Sequence, residues 1–196
     1  MYLKFKFFVQ FLFLYIKFLY LFLLPNFWAV MKDRISYERR PTFNQDFICS
    51  GQGIVKIGKN CSFGYKLGGF HKRGGIELQA RYENSFISIG DNVATNNNVF
   101  LLSANYIEIG DNSLIGQNVT IMDHEAHNID PFKRREIGEK GKIIVGKNVW
   151  IGNNVVILKN TEIGENTIVG TGAVVSGKFP SNVIIGGVPA KIIRNI

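Results

Sequence analysis

Three histidines are the side chains of this sequence that could do acid–base or metal chemistry. His71 lies in a glycine-rich segment, and His124 and His127 lie three residues apart in IMDHEAHNID. A neutral imidazole, with an ordinary pKa of about 6.5, can accept the proton of an attacking hydroxyl group. Three histidines can also hold a zinc ion. Neither Cys49 nor Cys61 lies in a recognisable nucleophile motif, so nothing points to a cysteine nucleophile.

The repeat that must position these histidines is clearest in residues 143–176. Aliphatic residues recur there every six positions, at Val145, Ile151, Ile157, Ile163, Val169 and Val175. Small or β-branched residues precede five of them by two positions, at Val149, Val155, Thr161, Thr167 and Ala173. A period of six fits neither an amphipathic helix nor a plain strand. It predicts a parallel β-helix, in which three hexads form one triangular coil and the aliphatic side chain points inward.

Turn positions and insertions follow from the same period. We expect backbone conformations of positive φ at the repeat's glycines and asparagines, which are Gly146, Gly152, Gly164, Gly170, Asn148, Asn154 and Asn166. The period extends back to Ile57, with a small bulge predicted near residues 103–106. It is broken by a long loop at 123–142, which contains His124. Long loops without structure of their own are usually functional.

The N-terminal segment, residues 1–30, is apolar and predicts a helix that Pro25 ends. Lys6, Gln10 and Lys17 would share one face opposite Phe and Leu side chains, which favours an amphipathic helix lying on a membrane. A spanning helix and a helix packed on the solenoid are the alternatives. Residues 31–53 are interpreted as a polar connector, which leaves 54–196 for the β-helix domain.

Charge and cysteine usage limit the partners and the compartment. The formal net charge is +8, but no basic stripe alternates with regular aromatic positions, so nucleic acid is the least favoured ligand. Phosphate-bearing ligands or lipid headgroups are better candidates. Two cysteines and the absence of a recognisable signal cleavage site predict a cytoplasmic protein, located at the inner face of the cytoplasmic membrane.

The repeat, with its motifs at 121–127, 148–153 and 186–194, resembles the hexapeptide-repeat acyltransferases. It resembles in particular the galactoside and maltose acetyltransferases and the O-acetyltransferases that act on surface polysaccharides. The resemblance implies an all-β fold, a left-handed parallel β-helix with an N-terminal helix. It also implies a homotrimer with shared sites, acetyl-CoA as co-substrate, no metal, and a sugar or glycan acceptor, in polysaccharide or lipopolysaccharide biosynthesis.

The resemblance also assigns roles to residues. His124 matches the general base, and His127, Asp123 or Glu125 could orient it. Asn96 matches the acceptor and acetyl end of the site, although Asn97 and Asn98 leave a one-residue ambiguity. The implied coenzyme contacts are Trp150, the Asn153 amide, Thr171, Ser176, Lys191 and Arg194. Relatives carry a lysine directly after Ser176, whereas this chain has Gly177 and then Lys178, so Lys178 is the expected substitute.

Two other functions are compatible with the same fold. A metalloenzyme like the γ-class carbonic anhydrases would hold zinc with three histidines across a subunit interface, but this function would leave Trp150 and the GGVPAKIIR motif unexplained. A non-catalytic β-helix scaffold would tolerate the loss of His124. Because fold alone does not determine function, both stay open.

Overall fold

The computed structural model describes residues 11–196, and its main body is a triangular parallel β-helix. Each coil contributes one strand to each of three sheets. The first sheet contains β1 (Ile35–Tyr37), β4 (Ile54–Ile57), β7 (Phe86–Ile89), β10 (Tyr106–Ile109), β13 (Lys142–Val145), β16 (Thr161–Ile163) and β19 (Lys178–Phe179).

The second and third sheets complete the triangle. The second sheet contains β2 (Thr42–Phe43), β5 (Ser62–Phe63), β8 (Ala94–Thr95), β11 (Leu114–Ile115), β14 (Trp150–Ile151), β17 (Ile168–Val169), β20 (Val183–Gly187) and β21 (Ala190–Asn195). The third sheet contains β3 (Asp46–Gly51), β6 (Gly75–Ala80), β9 (Val99–Ser103), β12 (Thr120–Met122), β15 (Val156–Leu158) and β18 (Val174–Val175). Within residues 11–196, all strand pairs are parallel except β20 with β21, which fold back at the C-terminal end.

The six-residue period is confirmed as the pattern of the core. Every aliphatic position named for residues 143–176 is buried, and so are the small residues two positions earlier. Parallel pairing in register stacks Ile121 on Ile157 and Ile157 on Val175. Burying columns of branched side chains in this way is favourable by roughly 1.5–3 kcal/mol per side chain.

The turns confirm the prediction for asparagine and correct it for glycine. Asn148, Asn154 and Asn166 have positive φ, between 54° and 57°. The four repeat glycines do not have positive φ. For most of them, the lack of space for a side chain explains why the residue is glycine. A Cβ on Gly152 would lie 2.7 Å from the backbone nitrogen of Thr171 in the next coil. These glycines are therefore needed mainly because successive coils approach closely.

The predicted connector is wrong in the structure, because residues 35–51 form the first coil. Ile35 pairs with Val55, and Asp46 pairs with Gly75. The inner positions of this coil hold aromatic rings instead of the aliphatic residues that mark later coils. Phe43 stacks on Phe63 with 5.7 Å between ring centroids, and the Phe47 ring packs against Phe63 at 4.7 Å in a tilted arrangement. The spacing of these aromatic residues along the chain does not follow the six-residue period, so the sequence conceals this coil.

The N-terminal helix closes this end of the prism. Residues 11–18 are α-helical and continue into a π-helical turn, Leu19–Leu23, and we call residues 11–23 α1. Pro25 lies in the turn that follows, before the short α2 (Phe27–Met31). Phe22 is fully buried and stacks on Phe43 at 4.8 Å. A solenoid end needs such a cap because its last coil would otherwise expose the core.

The polar stripe predicted for this helix is wrong at Lys17. The Lys17 ammonium points toward the first coil and donates to Asn44 Oδ1 at 3.1 Å. Lys6 and Gln10 lie outside the described residues. Within residues 11–196, no helix is long and apolar enough to cross a membrane.

Two loops leave the prism. The glycine-rich loop, residues 64–74, connects β5 with β6. The long loop predicted at 123–142 lies between β12 and β13 and contains a short 3₁₀ helix, Pro131–Lys133. The bulge predicted near residues 103–106 is also present, since Tyr106 pairs with Phe86, twenty residues earlier.

Candidate active site

A groove of about 460 Å³ runs along the outer face of the second sheet. Its lining includes Asn96, Trp150 and Asn153, three residues that the sequence assigned to the site, and also Tyr65. The groove crosses strands β5 to β14, so it follows the stacking direction of the coils. The sequence had assigned Asn96, Trp150 and Asn153 to the site only by resemblance.

Trp150 faces outward, as expected, and is 55% exposed. It pairs with Leu114 on one side and with Ile168 on the other. An exposed indole on a regular strand offers a flat apolar surface for a ligand. The Asn153 side chain has a structural task, because its Oδ1 accepts the Gln117 amide at 2.9 Å.

The three consecutive asparagines have different surroundings in the structure. Asn97 is fully buried, and its Nδ2 donates to the carbonyls of Tyr65 and Gly69 at 2.8 Å each. Asn98 has a φ of 60° and occupies the turn, where it bonds to the next asparagine of that column. Asn96 is the member of the three that lines the groove. Its neighbour Asn97 anchors the glycine-rich loop beside the groove.

The remaining predicted coenzyme contacts are divided between edges of the prism. Thr171 lies next to Asn153, because the Gly172 amide donates to the Asn153 carbonyl at 2.9 Å. Lys191 and Arg194 are exposed on β21 of the second sheet. Ser176 follows the third sheet, and Lys178 lies on the first sheet, where it pairs with Glu162 at 2.7 Å. None of these five residues lines the groove itself. Thr171, Lys191 and Arg194 follow or lie on later strands of the same sheet, whereas Ser176 and Lys178 lie on other sides of the prism.

His124 forms a buried pair with Asp123. Its Nδ1 lies 3.1 Å from Asp123 Oδ1, and both side chains are fully enclosed. Its Nε2 is also buried and has no hydrogen-bond partner in the part of the chain that the structure describes. An ionised carboxylate accepts but cannot donate, so Nδ1 carries a proton, and the neutral form of this imidazole has its lone pair on Nε2.

The Asp123 carboxylate is held by the bulge that the sequence predicted. Oδ2 accepts from Ser103 Oγ at 2.7 Å and from the amides of Asn105 and Tyr106 at 3.0 and 2.7 Å. Oδ1 accepts the Ala104 amide at 2.7 Å. Burial alone would raise the Asp123 pKa, but the hydrogen bonds from His124, Ala104, Ser103 and Asn105 outweigh it and hold the pKa below its ordinary value.

The other two candidates for orienting His124 have different partners. Glu125 Oε1 pairs with Lys159 at 3.2 Å, and the same ammonium contacts Glu139. His127 Nδ1 lies 2.7 Å from the Arg134 carbonyl. Glu125 and Glu139 face each other across the base of the long loop, so Lys159 ties its two ends to the coil below.

The structure separates His124 from the groove within one chain. His124 follows β12 of the third sheet, whereas the groove lies on the second sheet and does not include it. Its imidazole is covered inside the protomer. The resemblance implies a site shared between subunits, but it does not say that His124 and the groove lie on different sheets of one protomer.

The histidines do not gather around a common point. His71 lies in the glycine-rich loop, and His124 and His127 have the separate partners described above. Across residues 11–196, no group of three His, Cys, Asp or Glu side chains is placed to hold a metal ion.

Two groups near the site were missed by the sequence. Tyr65 lines the groove, and its sequence signal was only that it begins the glycine-rich loop. Lys159 has no sequence signal, because its partners lie 20 and 34 positions away in the chain.

Comparison with known proteins agrees with this architecture. Residues 142–177 match the family model of the bacterial transferase hexapeptide (six repeats), and residues 106–122 match the hexapeptide repeat of succinyl-transferase. A solved galactoside acetyltransferase in complex with coenzyme A is 28% identical with a TM-score of 0.56, covering 86% of this chain and 68% of that chain. The left-handed parallel β-helix predicted from the resemblance is confirmed.

Curated relatives extend the match to most of the chain. The putative lipopolysaccharide biosynthesis O-acetyl transferase WbbJ of Escherichia coli (strain K12) is 31% identical over 174 residues, covering 84% of each chain. The sophorolipid acetyltransferase of Starmerella bombicola is 51% identical over 111 residues, covering 56% of this chain and 42% of that protein. The chain therefore belongs to the hexapeptide-repeat acyltransferase family, and the acyltransferase class predicted from its sequence is confirmed.

Proposed function

We propose that this enzyme transfers an acetyl group from acetyl-CoA to a sugar hydroxyl, with His124 as the general base. The observation that carries the proposal is the buried Asp123–His124 pair. Asp123 fixes the proton on Nδ1, which leaves the lone pair of Nε2 for an incoming hydroxyl. A buried nitrogen without a partner is costly, by about 1–3 kcal/mol, unless a substrate group satisfies it.

The reaction follows from this tautomer. The sugar oxygen attacks the thioester carbonyl carbon while Nε2 takes the hydroxyl proton. The C–S bond then breaks, the carbonyl re-forms as the ester, and the imidazolium returns its proton to the leaving thiolate. The Asp123 carboxylate stabilises the imidazolium between these steps. The Asn153 amide is the proposed donor to the thioester oxygen as negative charge develops there.

Coenzyme A is proposed to lie along the groove. Trp150 would contact its pantetheine arm, with Thr171 nearby, and Lys191 and Arg194 would face its phosphates. A relative whose structure contains coenzyme A supports this ligand. Ser176 and Lys178 lie on other edges of the prism, so we propose that they contact the coenzyme bound in the groove of a neighbouring subunit.

The separation of His124 from the groove supports a trimer with shared sites. In a threefold assembly, an edge of one prism faces a sheet of the next. The corner with His124 could then meet the second-sheet groove of a neighbour, with the long loop reaching across. Because the imidazole is covered in the protomer, we propose that the long loop shifts when the substrates bind.

The acceptor is proposed to be a glycan built at the cytoplasmic face of a membrane. The two curated relatives are named for lipopolysaccharide and for a sophorolipid, which supports an acceptor attached to lipid. The outward face of the N-terminal helices is strongly apolar, with Phe13, Tyr20, Trp28 and Met31 each more than half exposed. We propose that this face lies on the membrane surface.

The central experiment measures thiol release from acetyl-CoA with a panel of sugars and lipid-linked sugars. His124→Ala should lower kcat by about 10²–10⁴, the usual contribution of a general base, and leave acetyl-CoA affinity unchanged. His127→Ala is the matched control and should cost much less. Full activity of His124→Ala would overturn the mechanism, and activity that depends on added zinc would favour the metalloenzyme.

A mixing experiment tests the shared site. His124→Ala should lower the activity of every site to which the variant subunit contributes residue 124. Trp150→Ala should do the same for every site to which its subunit contributes residue 150. If one site combines both residues from two subunits, co-refolded mixtures of the variants should regain part of the wild-type activity. No recovery, or a fully active monomer by sedimentation, would place each site within one chain.

Membrane association is tested with anionic liposomes and the full chain. The wild type should co-sediment with the liposomes, and Trp28→Ser should reduce binding while circular dichroism is unchanged. A full-length protein that ignores liposomes would mean that the apolar face packs elsewhere.

A further inference from the structure

A second depression adjoins the groove at the N-terminal end of the second sheet. It has a volume of about 180 Å³ and lies between α1 and β2. Its floor includes Thr42 and Phe43, which pair directly with Ser62 and Phe63 of the next coil. Ser62 also lines the groove, so the two depressions follow one another on one face.

This depression combines cations with apolar side chains. Lys17 and Arg40 line it together with Phe11, Leu14 and Phe18, and no acidic residue is among the described residues around it. The Arg40 guanidinium lies 4.0 Å from the centre of the Phe18 ring and donates to the Leu14 carbonyl at 2.8 Å. A guanidinium has five N–H donors, so most remain for a ligand.

The glycine-rich loop, which begins beside this depression, carries a third cation, Lys66. Asn44 links the two parts, because its Oδ1 accepts from Lys17 Nζ at 3.1 Å and its Nδ2 donates to the Gly64 carbonyl at 3.2 Å. Lys66 follows two residues later. Partial burial and the charge of Lys66 lower the pKa of Lys17. An anion bound between the two ammonium groups would offset this repulsion.

The cationic pocket lies within the length of one sugar phosphate of Asn96, at the proposed acceptor end of the site. Strands β2, β5 and β8 are neighbours, so the pocket lies about 10 Å from Asn96 at a strand spacing of about 4.8 Å. A sugar whose phosphate occupies the pocket can therefore extend a hydroxyl toward Asn96. On the other side, Phe11 and Leu14 are 66% and 53% exposed and offer an apolar path away from the phosphate.

We propose that the acceptor is a sugar attached through phosphate to a lipid chain, with the phosphate held by Lys17, Arg40 and Lys66. The sugar lies in the groove beside Tyr65 and Asn96, and the first part of the lipid follows Phe11 and Leu14. This inference rests on the proposed acetyl transfer to sugars. The phosphate is the group that the N-terminal helix and the glycine-rich loop would recognise together.

The test compares three acceptors that share one sugar: the free sugar, its 1-phosphate, and the same sugar joined through phosphate to a lipid chain. We expect kcat/KM to rise at least tenfold from the free sugar to the 1-phosphate, and again with the lipid. Lys66→Gln should remove most of the first gain without changing activity on the free sugar. Lys56→Gln, which removes the same charge from the first sheet, should change neither.

Binding provides a readout that does not depend on catalysis. Calorimetry with the sugar 1-phosphate and no acetyl-CoA should show weaker binding in Lys66→Gln and normal binding in Lys56→Gln. Equal kcat/KM for free and phosphorylated sugar, unchanged in Lys66→Gln, would overturn this inference and leave acetyl transfer intact. A gain from phosphate without a further gain from lipid would refute the lipid assignment. No transfer to any sugar would instead refute the proposed function.

Discussion

Asp123→Asn isolates the group that orients the proposed base. The carboxylate accepts five hydrogen bonds, three at Oδ2 and two at Oδ1. An amide accepts at only one of the two positions. Its oxygen should therefore take the Oδ2 position, where three donors converge. Its nitrogen then faces the Ala104 amide and His124 Nδ1.

This arrangement predicts the effect on catalysis. The new amide N–H would donate to Nδ1, so the neutral imidazole would carry its proton on Nε2. Nε2 then has no lone pair for the acceptor hydroxyl. We expect kcat to fall by about 10²–10⁴, the full contribution of general-base catalysis, although the His124 side chain is intact.

The same contacts give the effect on stability. The Ala104 amide would lose its acceptor and remain buried, which costs about 1–3 kcal/mol. The three bonds at Oδ2 would become neutral and lose part of their strength. A total loss of about 2–4 kcal/mol is expected in the free energy of unfolding. Chemical denaturation measures it, and near-ultraviolet circular dichroism reports whether the variant is folded.

Ser103→Ala is the matched control. It removes one donor to the same carboxylate but leaves the Asp123–His124 contact in place. It should cost about 1 kcal/mol and have little effect on kcat. Wild-type kcat in folded Asp123→Asn would refute the orienting role, and an equal loss of kcat in both variants would mean that the carboxylate serves only stability.

The depressed pKa of Asp123 gives this pair a defined pH dependence. A carboxyl group whose folded pKa lies below its unfolded value stabilises the fold above the unfolded value, about 3.9. That contribution is lost as the pH falls through the folded pKa. Wild type should therefore lose stability more steeply than Asp123→Asn below about pH 4. If the free energy of unfolding of both proteins changes equally with pH, the low pKa of Asp123 in the folded state would be contradicted.

Three further changes test other parts of the structure. Trp150→Ala should weaken acetyl-CoA binding about tenfold in calorimetry with little change in melting temperature, whereas Ile48→Ala, a similarly exposed residue on the third sheet, should leave affinity unchanged. Lys159→Met should release the base of the long loop, so protease cleavage within 125–139 should increase and kcat should fall; an unchanged cleavage rate would mean that the ion pairs do not hold the loop. Phe22→Ala should destabilise the fold by about 3–5 kcal/mol, while Phe13→Ala on the exposed side of the same helix should cost under 1 kcal/mol; equal effects would show that the helix does not cap the prism.

The sequence alone determined the repeating part of this protein. In a β-helix, the six-residue period decides which side chains point inward, because each hexad is one short strand and one turn. Ile157 is therefore buried and Trp150 is exposed, as their spacing predicts. The twenty-residue spacing from Ile89 to Ile109 likewise predicted the bulge, whose backbone amides donate hydrogen bonds to Asp123.

Tertiary structure decided whatever depends on contacts between distant segments. The first coil was missed because aromatic rings replace its aliphatic pattern, and Lys17 turned inward because Asn44 offers it an acceptor. The choice of Asp123 to orient His124 depends on the bulge amides, which lie about twenty residues away. His124 and Trp150 lie on different sides of the prism because a strand's position in the coil, rather than its local sequence, determines the direction that it faces.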